Sequence, residues 1–468
     1  MGRPLGLQDG RFRWVEQCHG LFAEVAPVAV LPLVVGLDEH AARQPQKVKG
    51  IFGGQSGYTS PPGVAAGTLV STTLPLGSSV TANDVRPARK CRAAETDAVV
   101  GSGVRRRGLR LLTMLIIAFV AVVGVSLGRA LLGPGTDSFA ARGAEWARGH
   151  GLSAVIDMVE RATYSAPSIG GRPAANSPLS GAQVAGTGLP ATAVPVNVRS
   201  TLLRIATFAS PPLPGEGTWQ VLAMVGGKPA LQVAYLRPDA VHTSSTAGVA
   251  WMDPRLLRFV LHPGTLEPGP GPWPQAPVIT AAERPALVGA FNGGFRLDAA
   301  RGGFFEGGRT VGKLREGAAS LVIDATGRAR VGQWGRDVHA GPAVLAVRQN
   351  LDLIVDAGKV APGLADNARG RWGRTLGNKL YVWRSGVGQT ASGALVYVSG
   401  DRLSAPTLAK LLRRAGSVRA MELDINPEWT SFVEYPAERN LLPDMQRSAH
   451  RYDSTSTRDF VTVLRRTS

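Results

Sequence analysis

A chain of 468 residues with 44% hydrophobic side chains has material for a core and, by length alone, room for two or three domains. Its 58 Gly and 33 Pro predict turns, short strands and at least one linker, and exclude a helical bundle. The net charge is +18, with 32 Lys and Arg against 22 Asp and Glu on residues 201–468, which fits either general solubility or an anionic partner. No basic helix, zinc motif or RNP-like aromatic segment accompanies that charge, so nucleic acid is not the expected partner.

In chain order, residues 1–104 show no sustained period and are expected to be a disordered cytoplasmic segment. A sharper reading places the translation start near Val100 or Val104. The two cysteines, Cys18 and Cys91, lie in this part, and residues 92–468 need neither a disulfide nor a thiol.

Residues 105–133 read as a transmembrane helix with a basic flank. The stretch 111–128 is free of charge, and Arg105, Arg106, Arg107 and Arg110 precede it. The positive-inside rule places that cluster in the cytoplasm and the following chain outside, giving a single-pass protein of the cell membrane. A cleaved signal peptide is the alternative. The length of the span, and the lack of an A-x-A site after it, favour a retained anchor.

Residues 134–164 are expected to form a juxtamembrane helix, with Phe139, Trp146, Leu152, Val155, Ile156 and Val159 on one side. A linker rich in Pro, Gly, Ala and Ser follows at 165–199. The domain proper is 200–468. Its candidate strands are 220–225, 230–236, 286–291, 320–324, 351–355, 379–383, 394–398 and 419–425. One helix is expected at 405–415, with Ser404 as N-cap and Gly416 as stop. The fold class is therefore α+β: a β-rich domain of mixed or antiparallel sheet with few helices, preceded by one transmembrane helix.

HExxH, P-loop, GxSxG and CxxC motifs are absent. What remains are polar groups at strand ends. Asn292-Gly293-Gly294 follows an apolar strand, and two glycines there permit a close approach to a ligand and an anion-binding nest. Arg374, ahead of the strand at 379–383, has the fork that clamps a phosphate. In 421–426, alternation buries Met421, Leu423 and Ile425 and turns Glu422, Asp424 and Asn426 the other way. The two carboxylates then stand ~7 Å apart at two strand rises and titrate as a coupled pair, suited to acid–base work or to a cation. Asp424-x-Asn426-x-Glu428 starts like a calcium loop, but Trp429 and Tyr435 at positions six and twelve exclude an EF-hand. Glu306 and Asp298 are candidate carboxylates beside the Gly-Gly turn.

Taken in order, these segments resemble the phosphodiester glycosidase domain family, which includes N-acetylglucosamine-1-phosphodiester α-N-acetylglucosaminidases. The resemblance runs over about 280–435. It is carried by the Asn-Gly-Gly-Phe turn at 292–295, a loosely matched segment at 313–323, the Leu-Ile-Val-Asp-x-Gly run at 353–358, Arg-Thr-Leu-Gly at 374–377 with its strand, and the helix and strand that end in Asp424. One departure is plain: where the family typically has Leu-Asp-Gly-Gly-Gly-Ser, this chain has Leu423-Asp424-Ile425-Asn426-Pro427-Glu428. The anchor and the Arg/Ala/Gly-rich composition look like a membrane-anchored actinobacterial branch.

The resemblance implies an extracytoplasmic hydrolase of glycosyl phosphodiesters in the cell envelope. Arg374 and the Asn292, Gly293 and Gly294 turn would hold the phosphate. Asp424 and Glu422 would move protons or activate water, and Asn426 would orient the sugar. The expected partners are an anionic, phosphodiester-containing glycan and, through one helix, the membrane. No cofactor is required by any motif, and a divalent metal is left open. The rival is a binding module for anionic envelope glycans on the same fold, favoured by the replaced glycine loop; a third is a structural protein of envelope assembly.

Overall fold

The computed structural model describes residues 100–133, 137–162, 166–180, 200–367, 370–373 and 380–466. The expectations for residues 1–99 and for Arg374 fall outside them.

Helix α1 (Val100–Leu131) contains a predominantly apolar segment of 24 residues, Gly108–Leu131, none of it buried in the fold. At 1.5 Å per residue such a segment is ~36 Å long, enough to cross a ~30 Å hydrocarbon core. The helix expected over 134–164 is two helices, α2 (Phe139–Gly149) and α3 (Ser153–Ala162). Gly151 between them adopts φ +77°, a backbone conformation that ends a helix and that glycine takes without strain. Residues 166–180 have neither helix nor strand, yet Gly170 N donates to Val241 O at 2.7 Å and Leu179 is buried.

The domain that follows holds α4 (Leu297–Ala300) and α5 (Ala405–Arg414) amid short strands. In chain order these are β1 (Gln220–Val225), β2 (Lys228–Leu236), β3 (Ala247–Met252), β4 (Leu257–His262), β5 (Leu287–Asn292) and β6 (Phe304–Glu306). Next come β7 (Arg309–Val311), β8 (Ala319–Asp324), β9 (Ala329–Gln333), β10 (Val344–Gln349), β11 (Leu353–Asp356) and β12 (Lys359–Val360). The last are β13 (Val382–Thr390), β14 (Leu395–Leu403), β15 (Ser417–Glu422), β16 (Phe432–Glu434), β17 (Arg439–Asn440) and β18 (Phe460–Arg465).

They form an eight-stranded sheet, β1-β2-β3-β14-β13-β15-β11-β12, and two five-stranded sheets, β7-β6-β10-β8-β9 and β17-β16-β5-β18-β4. Every pairing between these strands is antiparallel. The large sheet is covered on both faces, so its central strands put apolar side chains on both sides. In β14, Leu395 and Tyr397 enter one core with Phe291, Phe432 and Val461 of the sheet β17-β16-β5-β18-β4, while Val396 and Val398 enter the other with Leu408, Leu411 and Leu412 of α5. Ser404 caps α5 as expected, accepting from Thr407 N at 3.2 Å.

The strand expected at 379–383 begins at Val382 and runs on to Thr390. The strand expected at 419–425 ends at Glu422, which leaves Asp424 and Asn426 in the loop beyond it. That shift decides the geometry of the site.

Candidate functional site

The ends of β5, β10, β13 and β15 meet the start of β18. Asn292, the last residue of β5, is buried, and every hydrogen-bonding position of its amide is filled by protein. Nδ2 donates to Ser385 Oγ (3.1 Å) and Gly293 O (2.8 Å), while Oδ1 accepts from Tyr397 Oη and Ser431 N, both at 3.0 Å. A fully satisfied amide has nothing left for a ligand. Asn292 therefore ties three sequence-distant segments together at the floor of the site.

Ser385 of β13 is the hinge of that tie. Its Oγ accepts from Asn292 Nδ2 and from Asp424 N at 3.1 Å, and its backbone N donates to Asp424 O at 2.8 Å. The structure thus brings Asn292 and Asp424 together through one hydroxyl. Gly293 is there for clearance: a Cβ on it would lie 2.0 Å from Asp459 Oδ2 and 2.8 Å from Asp459 O. A Cβ on Gly294 would press at 3.1 Å on both Arg348 Cζ and Asn350. Asn350 in turn spans the site, accepting from Phe295 N at 3.1 Å and donating to Glu422 O and Leu423 O at 2.6 and 3.0 Å. Beneath it, Arg348 and Asp459 form an ion pair at 2.7 Å with both side chains out of solvent.

The carboxylate of Asp424 is held from two sides. Oδ1 accepts from the backbone N–H groups of Ile425 (2.8 Å) and Asn426 (3.0 Å), and Oδ2 faces Arg458 Nη2 at 3.1 Å. Burial pushes its pKa up, opposed by Arg458 and the two N–H groups and reinforced by the negative charge of Glu145. Glu422, two residues earlier at the end of β15, is entirely buried. Its Oε1 pairs with Arg384 Nη1 and its Oε2 has no hydrogen-bond partner. Burial raises its pKa as well; Arg384 opposes this and the charge of Asp424 adds to it. Each of the two carboxylates has its own arginine. Asn426 contributes through its backbone: its N–H meets Asp424 and its C=O accepts from Trp429 N and Thr430 N, while its side-chain Oδ1 accepts from Glu428 N at 2.9 Å.

Around Asp424 the buried surroundings are cationic and aromatic. Arg458 lies 5.0 Å from the centroid of Trp429, which Arg447 and Arg451 also face at 5.4 and 5.6 Å. Two carboxylates from before the domain reach into this group. Glu145 of α2 contacts Arg296 Nη1 at 2.6 Å and Arg458 Nη1 at 3.3 Å, and Asp137 pairs with Arg447 and accepts from Thr457 Oγ1 at 2.5 Å.

With an arginine against each site carboxylate, this donor set suits an anion better than a cation. Among the described residues, Glu438, His450 and Asp453 place potential metal-ligand atoms within 4.8 Å of one another. Arg284 already pairs with Asp453 at 2.9 Å and with Glu438 at 3.6 Å, so that group is an ion-pair network.

Sequence reasoning passed over Arg348, Asn350, Ser385, Arg458 and Asp459. A usable signal was present in two places. Arg348-Gln349-Asn350 closes one apolar run and Arg458-Asp459 opens another, charges at strand ends like those that drew attention to Asp424.

No protein-family model matches the chain, and no curated protein matches it. Solved structures do. The zebrafish N-acetylglucosamine-1-phosphodiester alpha-N-acetylglucosaminidase catalytic domain, auto-inhibited by its pro-peptide, is 17% identical over 53% of this chain and 88% of its own, with a TM-score of 0.36. A hypothetical protein from Synechocystis is 14% identical over 52% of this chain, with a TM-score of 0.30, and the present chain spans only 63% of its length. These are distant likenesses of fold.

Proposed function

We propose that residues 200–468 are a hydrolase of glycosyl phosphodiesters, held outside the cytoplasm by α1. The observation that carries the reading is the buried Asp424–Arg458 pair at 3.1 Å, set where five strand ends meet. An arginine beside a carboxylate whose pKa burial has raised pairs an anion holder with a group able to carry a proton. Arg458 holds the phosphate of the ligand, and Asp424 exchanges a proton at the bridging oxygen or with the attacking water. Asn292 positions Asp424 through Ser385, and the Asn426 N–H holds Asp424 Oδ1. Glu422 acts from below, its charge set against Arg384. No step calls for a metal.

The test is sugar release from a glycosyl 1-phosphodiester by the full chain in detergent. Asp424→Asn, nearly isosteric, should lower turnover about 10²-fold or more while leaving the thermal transition in place. Equal turnover in both forms ends the reading. A binding module for anionic glycans is the second reading, favoured because Asp424 Oδ1 is already committed to the two N–H groups of its own turn. It predicts affinity for the same compound and no product from the wild-type chain.

The orientation follows from Arg105, Arg106, Arg107 and Arg110 before the apolar span. Protease added to intact cells should then degrade residues 201–468 and spare an N-terminal tag; protection of the domain would reverse the topology.

A further inference from the structure

Helices α2 and α3 contribute no residue to any of the buried apolar clusters of the described chain. The large apolar side chains Phe139, Leu152, Val155, Met158 and Val159 are exposed. What fastens this segment to the domain is charge. Asp137 and Glu145, both largely shielded from solvent, meet Arg447, Arg296 and Arg458 of segments 151 to 313 residues further along the chain. Arg458 divides its two terminal nitrogens between Glu145 and Asp424, so the helix carboxylate stands in the position that an anion bound next to Asp424 would take.

Ion pairs are weak anchors compared with apolar burial, because what they gain in attraction they largely give back in desolvation. They are also exchangeable. A ligand that brings its own anionic groups replaces each carboxylate at little net cost, which a buried leucine would not permit. The two carboxylates are eight residues apart along a mostly helical segment, ~12 Å by the helical rise. They mark two anion positions on one face, with the Trp429 ring between Arg447 and Arg458.

We propose that Arg458 and Arg447 at Trp429, with Arg296, form a two-position anion subsite for a chain bearing more than one phosphate group, and that Asp137 and Glu145 of the juxtamembrane segment occupy it until such a chain displaces them. The proposal rests on the phosphodiester reading for the choice of phosphate, and it makes the substrate a repeating polymer in place of a single diester. Displacement requires no bond to form or break. The full-length protein then exists as two populations, closed and open, and its apparent affinity is reduced by the open fraction.

The test uses the full chain in detergent with inorganic polyphosphate and inorganic phosphate as probes, at matched ionic strength. Asp137→Asn with Glu145→Gln removes both charges at nearly constant shape. The double variant should bind polyphosphate roughly tenfold or more tightly than wild type, with a smaller gain for inorganic phosphate. Should the variant not fold, the wild-type chain still decides: saturating polyphosphate must speed amide hydrogen exchange across α2 and leave β13–β15 unchanged. Unchanged α2 exchange, or equal affinity in wild type and double variant, overturns the proposal. An equal gain for both probes overturns the two-position part. Because the readouts are binding and exchange, tight polyphosphate binding without hydrolysis would leave the subsite standing while the hydrolase reading fails.

Discussion

The sheet core and the juxtamembrane segment are fastened by different physics. Phe291, Tyr397 and Phe432 are fully buried, and Phe432 lies parallel to Phe291 with ring centroids 6.3 Å apart. Across the boundary, α2 meets the domain through Glu145 and the neighbouring Asp137, with Phe139 left in the open. The first kind of contact is insensitive to salt and mild acid. The second is sensitive to both. A molecule built this way can release one segment without loosening the rest.

The largest blow to that contrast should come from the core. Phe432→Ala should cost about 3–5 kcal/mol in urea unfolding of the full chain, since a large cavity opens between two sheets. Gly293→Ala should cost about 1–3 kcal/mol by overpacking, because the new methyl meets the Asp459 carboxylate and carbonyl, and it should lower activity through Asn292 as well. Phe139→Ala, on the exposed side of α2, should fall within about 0.5 kcal/mol. A core variant as mild as Phe139→Ala would erase the distinction.

Acid sharpens it. Burial tends to raise the Asp137 pKa, but Arg447, Thr457 and Arg451 together hold it below the usual carboxylate range. A depressed folded pKa gives stability that is present above the unfolded value and lost as pH falls through the folded one. The α2 contact should therefore loosen on acidification below the ordinary aspartate range, read as faster exchange in α2, and Asp137→Asn should flatten that response. Glu283, brought down to about 2 chiefly by His262 against its own burial, gives the same sign inside the domain, with stability lost between about 4.5 and 2.

Glu306 runs the other way. It is buried, and burial lifts its pKa to about 7. A raised carboxylate favours the folded state only once protonated, so its contribution improves as pH falls from about 7 toward 4.5. Glu306→Gln should be more stable than wild type at pH 8 and indistinguishable near pH 4.5, compared by thermal unfolding. A stability gap that does not change with pH would show that Glu306 is solvated.

Much of the fold could be read locally because its determinants are local. The cap at Ser404, the apolar runs of β1, β2, β5 and β14, and the 24-residue span of α1 each announce themselves within a dozen residues. Strands β3 and β13 were missed or misplaced because their faces are built from Ala, Gly and Ser, which leave room for neighbours without giving a hydrophobic alternation. The site was legible at Asp424 and the Gly-Gly turn, where strand ends and glycines stand out. It was not legible at Arg458, Asp459 and Glu145. Their partners lie 34 to 313 residues away, and no spacing rule connects them.

One placement has a consequence for how the protein is made. Strand β18, the last of the described strands, lies inside its sheet between β5 and β4, and it brings Arg458 and Asp459 with it. Synthesis at roughly 5–20 residues per second delivers β4 and β5 long before the strand that separates them, so each waits with an open hydrogen-bonding edge. A message truncated before residue 460 would produce a chain that carries the Gly-Gly turn and Asp424 but has two unpaired strands, prone to joining with those of other copies. Completion of the sheet and completion of the site are the same event, and both wait for residues 458–465.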